Sequence, residues 1–179
     1  MARVVIFLDI DGVLNEFFPK GIPNENDVKN FDKQAIANLM SLIDRIQQQT
    51  HKKVEIILSS SWKEVGDIEQ LRLLFRTQPF VHYLTGRTPG LVPRYRPAEI
   101  LSWLRQNQVD DFIIFDDYPI GMNLFGERYI QVNPDNLLTQ ESTQRALEVI
   151  VSDNVFSVNE YNLDLNQYKV YKQEDCSMM

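Results

Sequence analysis

Cysteine is almost missing from this chain. The one thiol, Cys176, can form no intramolecular disulfide, which agrees with a reducing compartment. The two histidines, His51 and His82, do not make up the deficit, so a Cys/His zinc cage is excluded. Positive charge is also scarce: 18 Lys and Arg face 25 Asp and Glu, for a net charge of −7. Broad coating of nucleic acid is therefore not expected, because that affinity is built from many phosphate contacts; a local basic pocket remains open. No apolar run approaches the roughly 20 residues that span a bilayer. The apolar opening is short and soon acidic, unlike a signal peptide. A cytoplasmic setting is the default expectation, with no membrane and no obligate protein partner evident. Repeats and low-complexity linkers are absent too, and 179 residues are enough for one domain with a core of its own.

Apolar, β-rich runs are present at Val4 to Leu8, Val54 to Leu58, Phe80 to Leu84, Phe112 to Phe115 and Tyr129 to Val132. Several are continuous rather than alternating, as in strands covered on both faces of a parallel sheet. Helical spacing lies between them. Ile36, Leu39, Met40, Ile43 and Ile46 make one stripe, with Asp32 or Asn30 as its cap. Ile68, Leu71, Leu74 and Phe75 make a second, and Ile100, Leu101 and Leu104 a third, entered through Pro97. Ala146, Leu147, Ile150 and Val151 make a fourth. The alternation predicts an α/β fold with a central parallel sheet, whose ligands gather at the carboxyl ends of the strands. Residues 1–151 are expected to form the functional domain, with a short flap at 15–30. The polar, weakly patterned extension 152–179 has no assignable role.

Four clusters sit at predicted strand ends. In "FLDIDGVLN", Asp9 and Asp11 flank one isoleucine; in a continuing strand both would share a face. Neighbouring anions repel unless a cation or a shared proton compensates. An oxygen-only divalent site, most naturally Mg²⁺, supplies that compensation, and Gly12 lets the backbone turn away. The competing reading is an Asp-Gly turn closing a strand. A calcium EF-hand loop fits poorly, because Lys20 stands where its closing glutamate is needed.

The second cluster, "VEIILSSSW", offers the hydroxyls of Ser59, Ser60 and Ser61, and the N–H groups of a helix opening near Trp62, to an anion. Alternatively, one serine only caps that helix. Trp62 itself reads as core or pocket wall. Third is "RYRPAEILSWL", where Arg94 and Arg96 precede a helix in a stretch, 86–105, holding four arginines and one acid. The arginine fork matches phosphate oxygens; for Arg87 and Arg105 a solvated surface is the expected role. The last, "DFIIFDDYP", ends in Asp116 and Asp117. Two strands of one sheet would thus each deliver two acids to the same edge, and four carboxylates gather there only around metal.

In this order and spacing, "FLDIDGVLN", "IILSS", "RPAEI" and "IIFDD" resemble the four motifs of the haloacid dehalogenase (HAD) superfamily, phosphatase branch, over roughly residues 3–150. "SSSW" further resembles the HAD domains associated with RNA repair. The resemblance implies a Rossmannoid three-layer sandwich and a Mg²⁺-dependent phosphohydrolase. By carry-over, Asp9 is the nucleophile that becomes phosphorylated. Asp11 protonates the leaving oxygen, deprotonates water and ligates Mg²⁺ through its backbone carbonyl. Ser59 holds a phosphoryl oxygen and Arg96 takes a place usually held by lysine, with Arg94 as its rival. Asp117 is the direct or water-linked metal ligand and Asp116 supports it. Gly12, Ser60, Lys63 and Arg94 are expected on the phosphate or substrate side, with Lys20 and Arg87 as weaker contacts.

A large cap domain has no room: only residues 12–58 separate Asp11 from Ser59, and 62–93 separate Ser61 from Arg94. An open mouth suits a nucleotide, a nucleic acid end or another bulky phosphorylated substrate. Phe17 and Phe18 are candidates for stacking on a base, or else pack the flap onto its own domain. Two rival readings use the same residues: a phosphotransferase, and a fold that recognises phosphorylated partners without turnover.

Overall fold

The structure is a computed structural model that describes residues 2–16, 18–152 and 155–171. Phe17 and Cys176 fall outside the described residues. Strand β1 (Arg3–Leu8) is followed by a short helix α1 (Glu25–Val28), the long helix α2 (Lys33–Thr50) and β2 (Lys53–Leu58). Then come α3 (Ile68–Leu74), β3 (Leu84–Arg87), a two-residue strand β4 (Leu91–Val92), α4 (Arg96–Gln106) and β5 (Asp111–Asp116). The chain continues through β6 (Tyr129–Gln131), α5 (Gln140–Val151) and a second two-residue strand, β7 (Lys169–Val170).

Five strands form one parallel sheet in the order β3-β2-β1-β5-β6. β1 lies in the middle, with Leu8 opposite Leu58 on one side and Phe115 on the other. Because the chain leaves β1 toward β2 and later returns on the other flank, the sheet has its switch point beside β1, where α/β folds bind ligands.

The continuous apolar runs are explained by cover on both faces. On one, Val4, Ile6 and Leu8 pack with Leu39 and Ile43 of α2, Leu71 of α3 and Leu147 of α5. On the other, Val5 and Phe7 pack with Ile100, Leu101 and Leu104 of α4. This is the expected three-layer α/β sandwich, and no cap is evident among the described residues. None of the described helices is long and apolar enough to cross a membrane.

Three helix starts follow from local chemistry. The Asp32 carboxylate accepts the Ala35 N–H at 2.7 Å and caps α2. Asp67 and Gln70 form a reciprocal capping box on α3. Pro97 occupies the first turn of α4, where a missing N–H leaves no intrahelical bond unmade.

Two expectations are corrected. The run from Phe80 to Leu84 is not a strand: Pro79–Tyr83 forms a 3₁₀ turn, and pairing with β2 begins only at Leu84. Phe80 is drawn away from the sheet ladder into an aromatic cluster with Phe31 and Phe75. The segment at Trp62 is likewise a five-residue 3₁₀ turn, Ser61–Val65, and not an α-helix with a row of free N–H groups. The stretch 155–171 has a definite place. Phe156, Tyr161, Leu163 and Leu165 pack onto the α4 side of the sheet, and β7 pairs antiparallel with β4.

Candidate active site

β2 and β1 end in register, Leu58 beside Leu8, and β5 runs one residue past Phe115, so the residues following these three positions land on a common edge. The Asp9 N–H donates to the Phe115 carbonyl at 3.0 Å and the Ser59 N–H to the Leu8 carbonyl at 2.9 Å. Asp9, Ser59 and Asp116 therefore lie side by side, at most 5 % exposed. The Arg96 guanidinium reaches them from the first residue of α4. Its Nη1 donates to Asp9 Oδ2 at 2.6 Å and to Asp116 Oδ2 at 2.5 Å. The Tyr118 N–H holds the other oxygen of Asp116 at 2.9 Å. Burial alone would lower the Arg96 pKa, but the charges of Asp9 and Asp116 outweigh it and raise it.

Asp9, Asp116 and Asp117 each present one oxygen, all within 4.8 Å of one another. Burial raises the Asp116 and Asp117 pKa values, and the Asp9 charge pushes the same way. One guanidinium faces three carboxylates, all of them hard oxygen donors, and that imbalance is what a Mg²⁺-type ion corrects. Gly12 makes the arrangement possible. Its φ of +75° favours glycine, and a Cβ there would stand 2.5 Å from Asp117 Oδ2. Ser59 Oγ is buried with no hydrogen-bond partner among the described residues. Such a group normally finds one, so the orphaned hydroxyl fits a site for a ligand oxygen.

The sequence matches, over residues 5–143, the family described as the HAD domain in Swiss Army Knife RNA repair proteins. The chain belongs to that family. As a HAD domain it falls within a superfamily of phosphatase type that generally uses Mg²⁺, and its acidic group could hold such an ion. No curated protein and no solved structure matches the chain.

Asp11 departs from the arrangement expected of a continuing strand. In this HAD domain the strand stops at Leu8, and the Ile10 carbonyl accepts the N–H groups of Val13, Leu14 and Asn15 at 2.8–3.2 Å, closing a tight turn. The turn parts the two carboxylates. Asp9 faces Arg96, whereas Asp11 Oδ2 accepts the Trp62 Nε1–H at 2.9 Å and Oδ1 the Asn15 Nδ2–H at 3.3 Å. Burial pushes the Asp11 carboxyl up to about 6, opposed by the Trp62 hydrogen bond and aided by the Asp9 charge.

Three residues expected on the substrate side have other partners. Ser60 Oγ accepts the Trp62 N–H at 3.4 Å and caps the 3₁₀ turn. The buried Lys63 ammonium donates to the Glu99 carboxylate, to Thr88 Oγ1 at 3.1 Å and to the Pro89 carbonyl at 3.0 Å, which fills its three donor positions. Arg94 is exposed and pairs with Glu64, so between the two arginines it is Arg96 that meets the acids. Among the weaker candidates, Arg87 donates to the Lys63 carbonyl at 3.2 Å, and Lys20 and Phe18 are exposed. Trp62 and Asn15 are the contacts that sequence reasoning missed. An apolar indole beside a serine run carries no sign that its N–H will meet an acid 51 residues away.

Proposed function

We propose that this HAD domain is a Mg²⁺-dependent phosphomonoesterase that works through a phosphorylated Asp9. The observation that carries this reading is the juxtaposition, on one sheet edge, of the Arg96-held Asp9 carboxylate with the unpartnered Ser59 hydroxyl. An Asp9 oxygen attacks phosphorus while the bond to the leaving oxygen breaks, and Asp11 gives its proton to that oxygen. Water then attacks the phosphorus of the acyl phosphate. Asp11 takes the proton of the water, and Asp9 is released with inorganic phosphate. Arg96 and Ser59 hold peripheral phosphoryl oxygens and lower the repulsion between carboxylate and phosphate. Mg²⁺, held by Asp9, Asp117 and the Asp11 backbone carbonyl with Asp116 behind them, would add positive charge beside those oxygens.

Among the described residues no inserted cap covers the edge, which suits a phosphate on a bulky carrier. Together with the family description, this favours a phosphorylated nucleic acid end as substrate. Purified protein is expected to release phosphate from an aryl phosphate only with Mg²⁺, and Asp9→Asn to abolish this. An Asp9→Asn variant of undiminished activity would remove the mechanism. A panel of 3′- and 5′-phosphorylated oligonucleotides, free nucleotides, sugar phosphates and phosphopeptides tests the substrate class. Highest kcat/KM on a sugar phosphate or a peptide would overturn that part.

A further inference from the structure

We infer that Trp62 is a positioning residue that aims the Asp11 carboxylate; the inference rests on the acid-base role given to Asp11 above. A carboxylate on a turn has two side-chain rotations to lose before it points at a leaving oxygen. Here both oxygens are tethered, Oδ2 by the indole N–H at 2.9 Å and Oδ1 by the Asn15 amide at 3.3 Å. Of the two donors, only the indole comes from another strand end, so only it fixes the turn of Asp9 to Asn15 against the β2 edge.

The indole cannot swing. Trp62 is fully buried, its ring stacked on Phe75 with centroids 5.7 Å apart and met edge-on by Phe31 at 5.2 Å. Its backbone N–H is tied to Ser60 Oγ. An indole nitrogen is donor only, so it can neither take nor hold the proton that Asp11 transfers. The lone pair it occupies is closed to that proton, which leaves the carboxylate by the remaining directions. Part of the aromatic core thereby serves to orient a proton donor at the surface.

The test is a series of phosphate monoesters running from aryl esters with acidic leaving groups to alkyl esters, read as kcat/KM, which covers the steps up to loss of the leaving group. An aryloxide of low pKa needs little protonation, and an alkoxide needs it fully. Trp62→Phe keeps the ring packing and removes the N–H. It is expected to lose at most about threefold on 4-nitrophenyl phosphate and on the order of 10–100-fold on alkyl phosphates, less than the roughly 10²–10⁴-fold of a whole general acid because the carboxyl stays and only its aim is lost. Log kcat/KM should therefore fall more steeply with leaving-group pKa, in the direction of Asp11→Asn. Phe31→Leu, which loosens the same cluster and keeps the N–H, should lower all the esters alike.

A uniform loss in Trp62→Phe, or a steepened slope in Phe31→Leu, overturns the inference. A wild-type protein with no phosphatase activity, or an Asp11→Asn variant with the wild-type slope, overturns the preceding reading instead. If Trp62→Phe does not fold, the indole proton of Trp62 supplies the readout. In a Trp103→Phe background it is the single indole resonance. Adding Asp11→Ala should shift it upfield and speed its exchange with water; an unchanged resonance overturns the inference.

Discussion

Ser59 Oγ is buried beside Asp9 without a hydrogen-bond partner, and a hydroxyl in that state costs stability in the resting protein. Its removal separates stability from function. Ser59→Ala is expected to leave Tm unchanged or raise it by a degree or two, because an unmet polar group is exchanged for an apolar one. The same variant should lose about 100–1,000-fold in kcat/KM toward phosphate esters, the size of one preorganised donor to a charged oxygen. Thermal melts and steady-state kinetics on one preparation check both. A lowered Tm with unaltered kinetics would make Ser59 a packing residue. At this scale much of the site was legible beforehand: Asp9, Ser59, Arg96, Asp116 and Asp117 all follow apolar runs or open a helix, positions where a polar side chain is conspicuous. The Asp11 contacts were not legible, since they depend on a turn closed by backbone bonds to the Ile10 carbonyl. Nothing in side-chain pattern encodes that turn beyond Gly12.

Between elements, the Lys63–Glu99 pair joins the turn after β2 to the first turn of α4, the helix that presents Arg96. Both side chains are buried, and Glu99 also accepts the Leu91 N–H at 3.2 Å. Burial lowers the Lys63 pKa while the Glu99 charge supports the ammonium. Glu99→Gln keeps an acceptor for Leu91 and strands the lysine charge, so it should destabilise by about 3–5 kcal/mol, the penalty of a broken buried pair. For a chain of this length that is a Tm lower by roughly 10 °C. Adding Lys63→Met removes the stranded charge and is expected to recover more than half of the loss. A double variant as unstable as the single one would show that the amide, not the charge, was at fault. Element prediction failed for a related reason. β1 and β5 are readable as unbroken apolar runs, and β2 and β6 as apolar runs interrupted once, by Glu55 and Gln131, whereas the similarly apolar stretch at Phe80 reads as a strand but is not one, because long-range aromatic contacts with Phe31 and Phe75 claim it. Lys63 carries no local sign of its partner Glu99, 36 residues on, so that contact is not readable from the sequence.

The whole molecule needs a second core, which the sequence left half described. Val5, Phe7 and Phe112 face the α4 side, yet α4 alone does not cover it. Met122 and Phe125 add to the cover, and a further part comes from Phe156, Tyr161, Leu163 and Leu165, whose irregular spacing among polar residues matches neither a strand nor a helix period. Tyr161 is the centre of this cover. It is 8 % exposed, its ring 5.2 Å from Phe125 and 6.0 Å from Phe112, and Arg105 Nη2 donates to its carbonyl at 3.5 Å and to that of Leu163 at 3.2 Å. Farther along, Tyr168 stacks on Tyr95, the residue before Arg96, at 5.9 Å. If 155–171 is an integral layer, Tyr161→Ala opens a cavity against the sheet and costs about 3–5 kcal/mol, as for other large aromatic truncations in cores. The expected result is a Tm lower by roughly 10 °C, with faster amide exchange spread over β5 and α4 as well as over 155–171. Exchange confined to 155–171 with an unmoved Tm would make this segment a passive covering, and the domain would then end with α5.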